Sequence, residues 1–200
     1  MAAIVEHEKR KKQILDKAFK LFIEEGYEDV TYQKIADKCG ITRTTLYTYF
    51  RNKLDIFLWS IKQIISGVEQ KLVAIMQKED ITSLECLRQV LFCVIDEMEQ
   101  NKAFFKVLKM FLAQLEKKGE DVNKIVTRRV IRFRHLMTVI IVRGQKAEQI
   151  KKLPIRKING LFYSLLQTGV FQLGNLNVSC LDEIRDLVVF SIEGIRCDEG

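Results

Sequence analysis

The chain has 200 residues, 48% of them hydrophobic and 30% charged, with a formal net charge of +7 and a single proline. That length lets one large or two small domains bury roughly 70% of the unfolded surface without metals or disulfides, and the composition excludes a disordered or linker-rich chain. The longest apolar runs, VLFCVI at 90–95 and LMTVIIV at 136–142, fall well short of the ~18 residues of a membrane span.

The opening MAAIVEHEKRKK lacks the apolar core of a signal peptide, so a cytoplasmic protein is expected. Apolar residues then recur at helical spacing almost everywhere, without sustained alternation, which predicts an all-α fold of about nine helices. Ile14, Leu15, Ala18, Phe19, Leu21 and Phe22 give a stripe on a helix over 8–25 that Gly26 closes. Two short helices follow, over 32–38 with Thr31 as cap and over 43–49 with Thr42 as cap. A long helix is predicted over 52–77, and further helices over 82–99, 102–117, 121–147, 155–174 and 180–196.

The helices over 155–174 and 180–196 are apolar on two sides and so must be covered on two sides. One face meets the protein's own core; for the other, the expected cover is a second copy, in a two-fold four-helix interface formed by Leu161, Leu165, Ile184, Leu187, Val188, Ser191 and Ile195. The five cysteines form no CxxC pair and are odd in number, which argues against a zinc site and a disulfide framework. Residues 1–55 carry 11 Lys/Arg and 9 Asp/Glu, a net of +2, whereas 124–157 carry 11 Lys/Arg and only Glu148. Overall basicity therefore does not mark the first helices as a nucleic-acid site.

The stronger signal is YQKIADKCGITRTTL, residues 32–46. Ala36, Gly40 and Leu46 stand at the spacing of a helix-turn-helix: a small residue at a close crossing, a glycine at the turn and a buried aliphatic on the second helix. With Leu46 and Phe50 inward, Thr44, Tyr47, Thr48 and Arg51 point away, a hydroxyl-rich face suited to a DNA groove.

Residues 14–57 also resemble the DNA-binding domain of the tetracycline-repressor (TetR) family. The resemblance lies in Phe22, Gly26 and Tyr27, in Thr31, Ile35 and Ala36, and in Gly40-Ile41-Thr42 followed by Leu46, Tyr47, Tyr49, Phe50 and Lys53. It implies a homodimeric transcriptional regulator with a helix-turn-helix domain over 1–52 and an effector-binding and dimerisation domain over 53–200. It further implies a repressor released from double-stranded operator DNA by a small molecule, with the helix after Lys53 as the lever. Gln33, Arg43, Thr44 and Thr45 would approach base edges. Thr31, Tyr32, Tyr47, Thr48, Tyr49 and Lys53 would hold phosphates or flank the groove, with Thr42 at the start of the recognition helix. Arg43-Thr44 and Leu54-Asp55 depart from the family's usual residues, which bears on the operator sequence.

The effector is not specified by the sequence. Trp59, Phe111, His135 and Phe162 are candidate pocket residues, although aromatics at helical spacing are more often core, and His135 could equally be exposed. No cofactor or metal is expected, and the absence of HExxH, GxSxG and phosphate-loop motifs speaks against an enzyme. The alternative is a helical adaptor or membrane-surface protein using the basic segment 124–157.

Overall fold

The structure, a computed structural model, describes residues 2–117, 122–175 and 181–197. Among them lie nine α-helices: α1 (Ala2–Glu25), α2 (Tyr32–Cys39), α3 (Arg43–Tyr47), α4 (Lys53–Met76), α5 (Ser83–Gln100), α6 (Lys102–Lys117), α7 (Val122–Lys146), α8 (Ile155–Asn175) and α9 (Leu181–Ile195). None is long and apolar enough to cross a membrane. Two boundaries differ from expectation. α1 starts upstream of residue 8, and α3 stops at Tyr47 because the Thr48 hydroxyl donates to the Thr45 carbonyl at 2.7 Å while Thr48 N and Tyr49 N make tight bonds three residues back.

The chain forms two compact units, Met1–Gly67 and Val68–Gly200, and their boundary falls inside α4. It lies beyond the expected division at 52/53 because the first half of α4 completes the first unit's core: Ile56 and Phe57 are fully buried. There Phe57 meets Phe22 edge-on at 5.0 Å between centroids and lies 4.9 Å from Tyr27. Ile14, Leu15, Ala18, Leu21, Phe22, Ile35, Ala36, Leu46 and Phe50 are buried in the same unit. α2 ends at Gly40, whose φ of 68° only glycine takes without cost; Gly40 N bonds Asp37 O and Ile41 N bonds Ala36 O, so both loose carbonyls are satisfied.

In the second unit α5 packs against α7, α8 and α9, and α6 against α8. Leu87, Val90, Leu91, Ile95, Met137, Ile141, Phe162 and Val188 belong to one continuous apolar core. α7 crosses α5 at Gly144, where a Cβ would stand 2.9 Å from the Ser83 Cβ. An antiparallel bridge between Ile150 and Arg196, with Lys151 N donating to Ile195 O at 2.8 Å, ties the α7–α8 connection to the end of α9.

The two-faced helices α8 and α9 divide cleanly. Ile184, Val188 and Ile195, expected at a dimer interface, are buried in the second unit's own core, because α9 turns that stripe towards α5 and α8. Leu165 and Ser191 are half-buried, and Leu161 and Leu187 are exposed. The outward apolar face also includes Phe171, 66% exposed, and Phe190, 77% exposed.

Candidate nucleic-acid interface

The helix-turn-helix is assembled by threonine caps. Thr31 Oγ1 accepts from Lys34 N at 3.2 Å and Thr42 Oγ1 accepts from Thr45 N at 3.1 Å, so each short helix begins on a side chain that satisfies one of its free amides. The Thr42 and Thr45 hydroxyls also share a hydrogen bond of 2.9 Å. With Leu46 fully buried, α3 turns Arg43, Thr44, Thr45, Tyr47 and Thr48 to solvent. The outward hydroxyl face expected from the sequence is present.

This face is ordered by its own contacts. An Arg43 Nη2–H donates to the Tyr47 hydroxyl at 3.2 Å, and the Tyr47 ring stacks on Tyr32 of α2 at 4.6 Å. The Tyr32 hydroxyl in turn donates to Phe50 O at 2.8 Å. Burial, followed by the charges of Tyr47 and Asp55, pushes the Tyr32 phenol up to about 12, with Arg43 opposing. Gln33 is exposed and its Nε2 donates to Asp37 Oδ1 at 2.8 Å.

Lys53 is engaged in holding the unit together. Its ammonium donates to Tyr27 O at 2.8 Å and Glu28 O at 3.1 Å and sits 4.4 Å from the centre of the Tyr27 ring. The departure at Asp55 also has a local reason: Asn52 Oδ1 caps α4 by accepting from Asp55 N at 2.8 Å, while Asp55 Oδ2 accepts from Arg51 N, one residue before the cap, at 3.1 Å. One contact was absent from the sequence reading. His7, on the upstream turns of α1, stacks on Tyr49 at 4.6 Å with 19° between the rings.

The four candidate effector residues are divided between the two units. Trp59 lies in the first unit, with the Lys11 ammonium 3.7 Å and the Lys62 ammonium 4.2 Å from its ring. Phe111 and Phe162 are packed into the second unit, and His135 is exposed rather than set in an apolar pocket, because it falls on the outer side of α7, whose inner side carries Met137, Ile140 and Ile141. An open cleft of about 580 Å³ lies instead at the α4–α5 turn and the end of α7, lined by Met76, Lys78, Ile81, Ser83, Arg143 and Gln149 among others. A buried polar group of another kind stands on α8: Asn159 donates through Nδ2 to Arg134 O at 3.1 Å and to Thr138 Oγ1 at 2.6 Å, while its Oδ1 is buried without a donor.

Three arginines of the basic segment are engaged by neighbours in the second unit. Arg132 pairs with Glu69 at 3.5 Å, Arg134 lies over the Tyr163 ring at 4.9 Å and Arg143 donates to Ser83 Oγ at 3.2 Å. The adaptor or membrane-surface alternative finds no support in these contacts.

Residues 14–58 match the model of the bacterial regulatory proteins of the tetR family. The chain is 25% identical to the fatty acid metabolism regulator protein of Bacillus subtilis over 165 residues, 79% of this chain and 80% of that one. Other curated bacterial regulators are matched over about a third to a half of their own length. Among solved structures, a TetR transcription regulator from Haloarcula marismortui shares the fold with a TM-score of 0.83 at 14% identity, over 94% of this chain and 99% of that one. The regulator FadR of Bacillus subtilis, solved in complex with stearoyl-CoA, gives 0.69 at 21% identity over 92% and 98%. With the helix-turn-helix and its hydroxyl-bearing recognition helix in place, residues 14–58 carry the segment shared by the tetR family of bacterial regulatory proteins, and the whole chain has the all-α fold of the solved TetR regulators.

Proposed function

We propose that the protein is a homodimeric DNA-binding transcriptional repressor whose two α3 helices read an operator and whose C-terminal unit takes up a small-molecule effector that releases the DNA. DNA binding falls to residues 1–52, and effector binding and dimerisation to 53–200. The observation that carries this reading is the outward face of α3, where Arg43, Thr44, Thr45 and Tyr47 stand exposed on a helix only five residues long, with Thr48 exposed at its C-cap. Such a helix is too short to be stable alone and contributes one buried side chain to the core. What its exposed side offers is donors for base edges and phosphates.

The small net charge of residues 1–55 supports the dimer. A first unit with little net charge gains modest affinity from each half-site, so two linked half-sites are needed. The outward apolar face of α8 and α9, with Leu161, Phe171, Leu187 and Phe190, provides the surface that would join two copies. Selection of bound sequences from random duplex DNA tests the reading. The expected result is a palindrome whose half-sites are centred roughly 34–36 Å apart or a multiple of that. Recovery of no common sequence would count against it.

For the effector, similarity to a fatty acid metabolism regulator and to a fold relative solved with stearoyl-CoA makes long-chain acyl compounds the first class to examine. The second unit's core is apolar, and the buried Asn159 Oδ1 is a ready acceptor for a ligand's donor. An effector moves the equilibrium only by its differential affinity for free and DNA-bound protein, typically about 1–3 kcal/mol. Titrating acyl-CoA thioesters into free and operator-bound protein should therefore give two different affinities; equal affinities would exclude the thioester as effector.

A further inference from the structure

The recognition helix is held from two sides. On one, Tyr47 stacks on Tyr32 of α2; on the other, Tyr49, two residues past the end of α3, stacks on His7 of α1. The second contact needs α1 to continue upstream of the segment shared with the family, which begins at residue 14. Among the side chains described, from Val5 onward, core packing does not use these extra turns: the first buried residue is Ile14, and Val5 is 66% exposed. Their contacts include the His7–Tyr49 stack, the Glu8 carboxylate 3.8 Å from His7 Nδ1, and the Lys11 ammonium over the Trp59 ring at 3.7 Å and the Phe50 ring at 5.8 Å. Within about a turn of His7 the sequence runs Lys9-Arg10-Lys11-Lys12, with Lys9 and Lys12 exposed, which is suited to a polyanion.

We propose that the first turns of α1 belong to the DNA-binding surface and that His7 is a positioning residue, its ring fixing Tyr49 so that the phenol hydroxyl meets a DNA phosphate. The inference rests on the reading of the protein as a DNA-binding regulator. Tyr49 follows a helix too short to restrain it, so its ring would otherwise turn freely about χ1 and χ2; stacking on His7 removes that freedom before DNA arrives.

The test is fluorescence anisotropy of full-length protein on a duplex recovered by selection, beside thermal melts of each variant. Wild-type binding comes first, and its failure would reject the regulator reading itself. Given wild-type binding, His7→Ala should weaken affinity about three- to tenfold, and His7→Phe, which keeps a ring over Tyr49, should restore it to within about twofold. In a Tyr49→Phe background, which keeps the ring but lacks the hydroxyl to be positioned, His7→Ala should cost less than about twofold more. A purely structural His7 would give the same loss in both backgrounds. That equality, or unchanged binding by His7→Ala, overturns the proposal. Should His7→Ala unfold the start of α1, His7→Gln takes its place as the ringless variant.

Discussion

At the scale of single residues, the face proposed to meet DNA is a chain of dependent contacts, so its variants should act in combination. Arg43 is steered by the Tyr47 hydroxyl. Arg43→Ala should cost about 1–3 kcal/mol of binding and flatten preference at one base position, whereas Tyr47→Phe should both weaken binding and partly relax that same position. Repeating the selection with each variant checks this. Lys53→Met should act mainly on folding, since two carbonyls in the connection between α1 and α2 lose a charged donor; a loss of about 1–3 kcal/mol by urea denaturation is expected. The raised Tyr32 phenol implies a sign as well. Below pH 10 it is neutral in folded and unfolded chains alike, and from 10 to about 12 it ionises only in the unfolded chain, so stability falls across that window. Urea denaturation at pH 9 and pH 11 should show a steeper decline for wild type than for Tyr32→Phe. The threonine caps, Gly40 and Leu46 were legible in the sequence because each answers a local backbone demand. His7 was not, since a stack between residues so far apart in sequence follows from tertiary placement.

At the scale of elements, the helices were legible because periodicity and capping are local, and the departures have local causes, such as the Thr48 hydroxyl that stops α3. The division of α8 and α9 was less legible. Ile184, Val188, Leu187 and Phe190 are equally apolar, and only the neighbours α5 and α8 decide that the first two turn inward. The tight crossing at Gly144 could not be read from a glycine inside a helical pattern either. It makes a sharp prediction. A methyl there would press on the Ser83 Cβ and on Ile150, whose terminal carbon can yield whereas the Cβ cannot. Gly144→Ala, favoured by helix propensity alone, should instead destabilise by about 1–3 kcal/mol, seen as a lower melting temperature. A stabilised variant would show that the two helices can separate without cost.

At the scale of the whole molecule, the second unit carries an apolar face that its own core does not use. Phe190 is 77% exposed and Phe171 66%, while the stripe beside them on α9 is buried. A large aromatic ring left in water contributes nothing to folding of the single chain, but covering it against a second copy removes its apolar surface from water on both subunits. Phe190→Glu therefore separates folding from association. The monomer's core does not contain this side chain, so its melting at low protein concentration should stay close to that of wild type. Sedimentation should show a dimer converted to monomer, since symmetry brings the introduced carboxylates into the same apolar contact. If each protomer supplies one half-site, loss of linkage should lower operator affinity by about 10² to 10⁴, although the substitution lies in the second compact unit and α3 in the first. A Phe190→Glu protein that remained dimeric would assign the interface to another surface. One that became monomeric yet bound the operator undiminished would mean that a single recognition helix suffices.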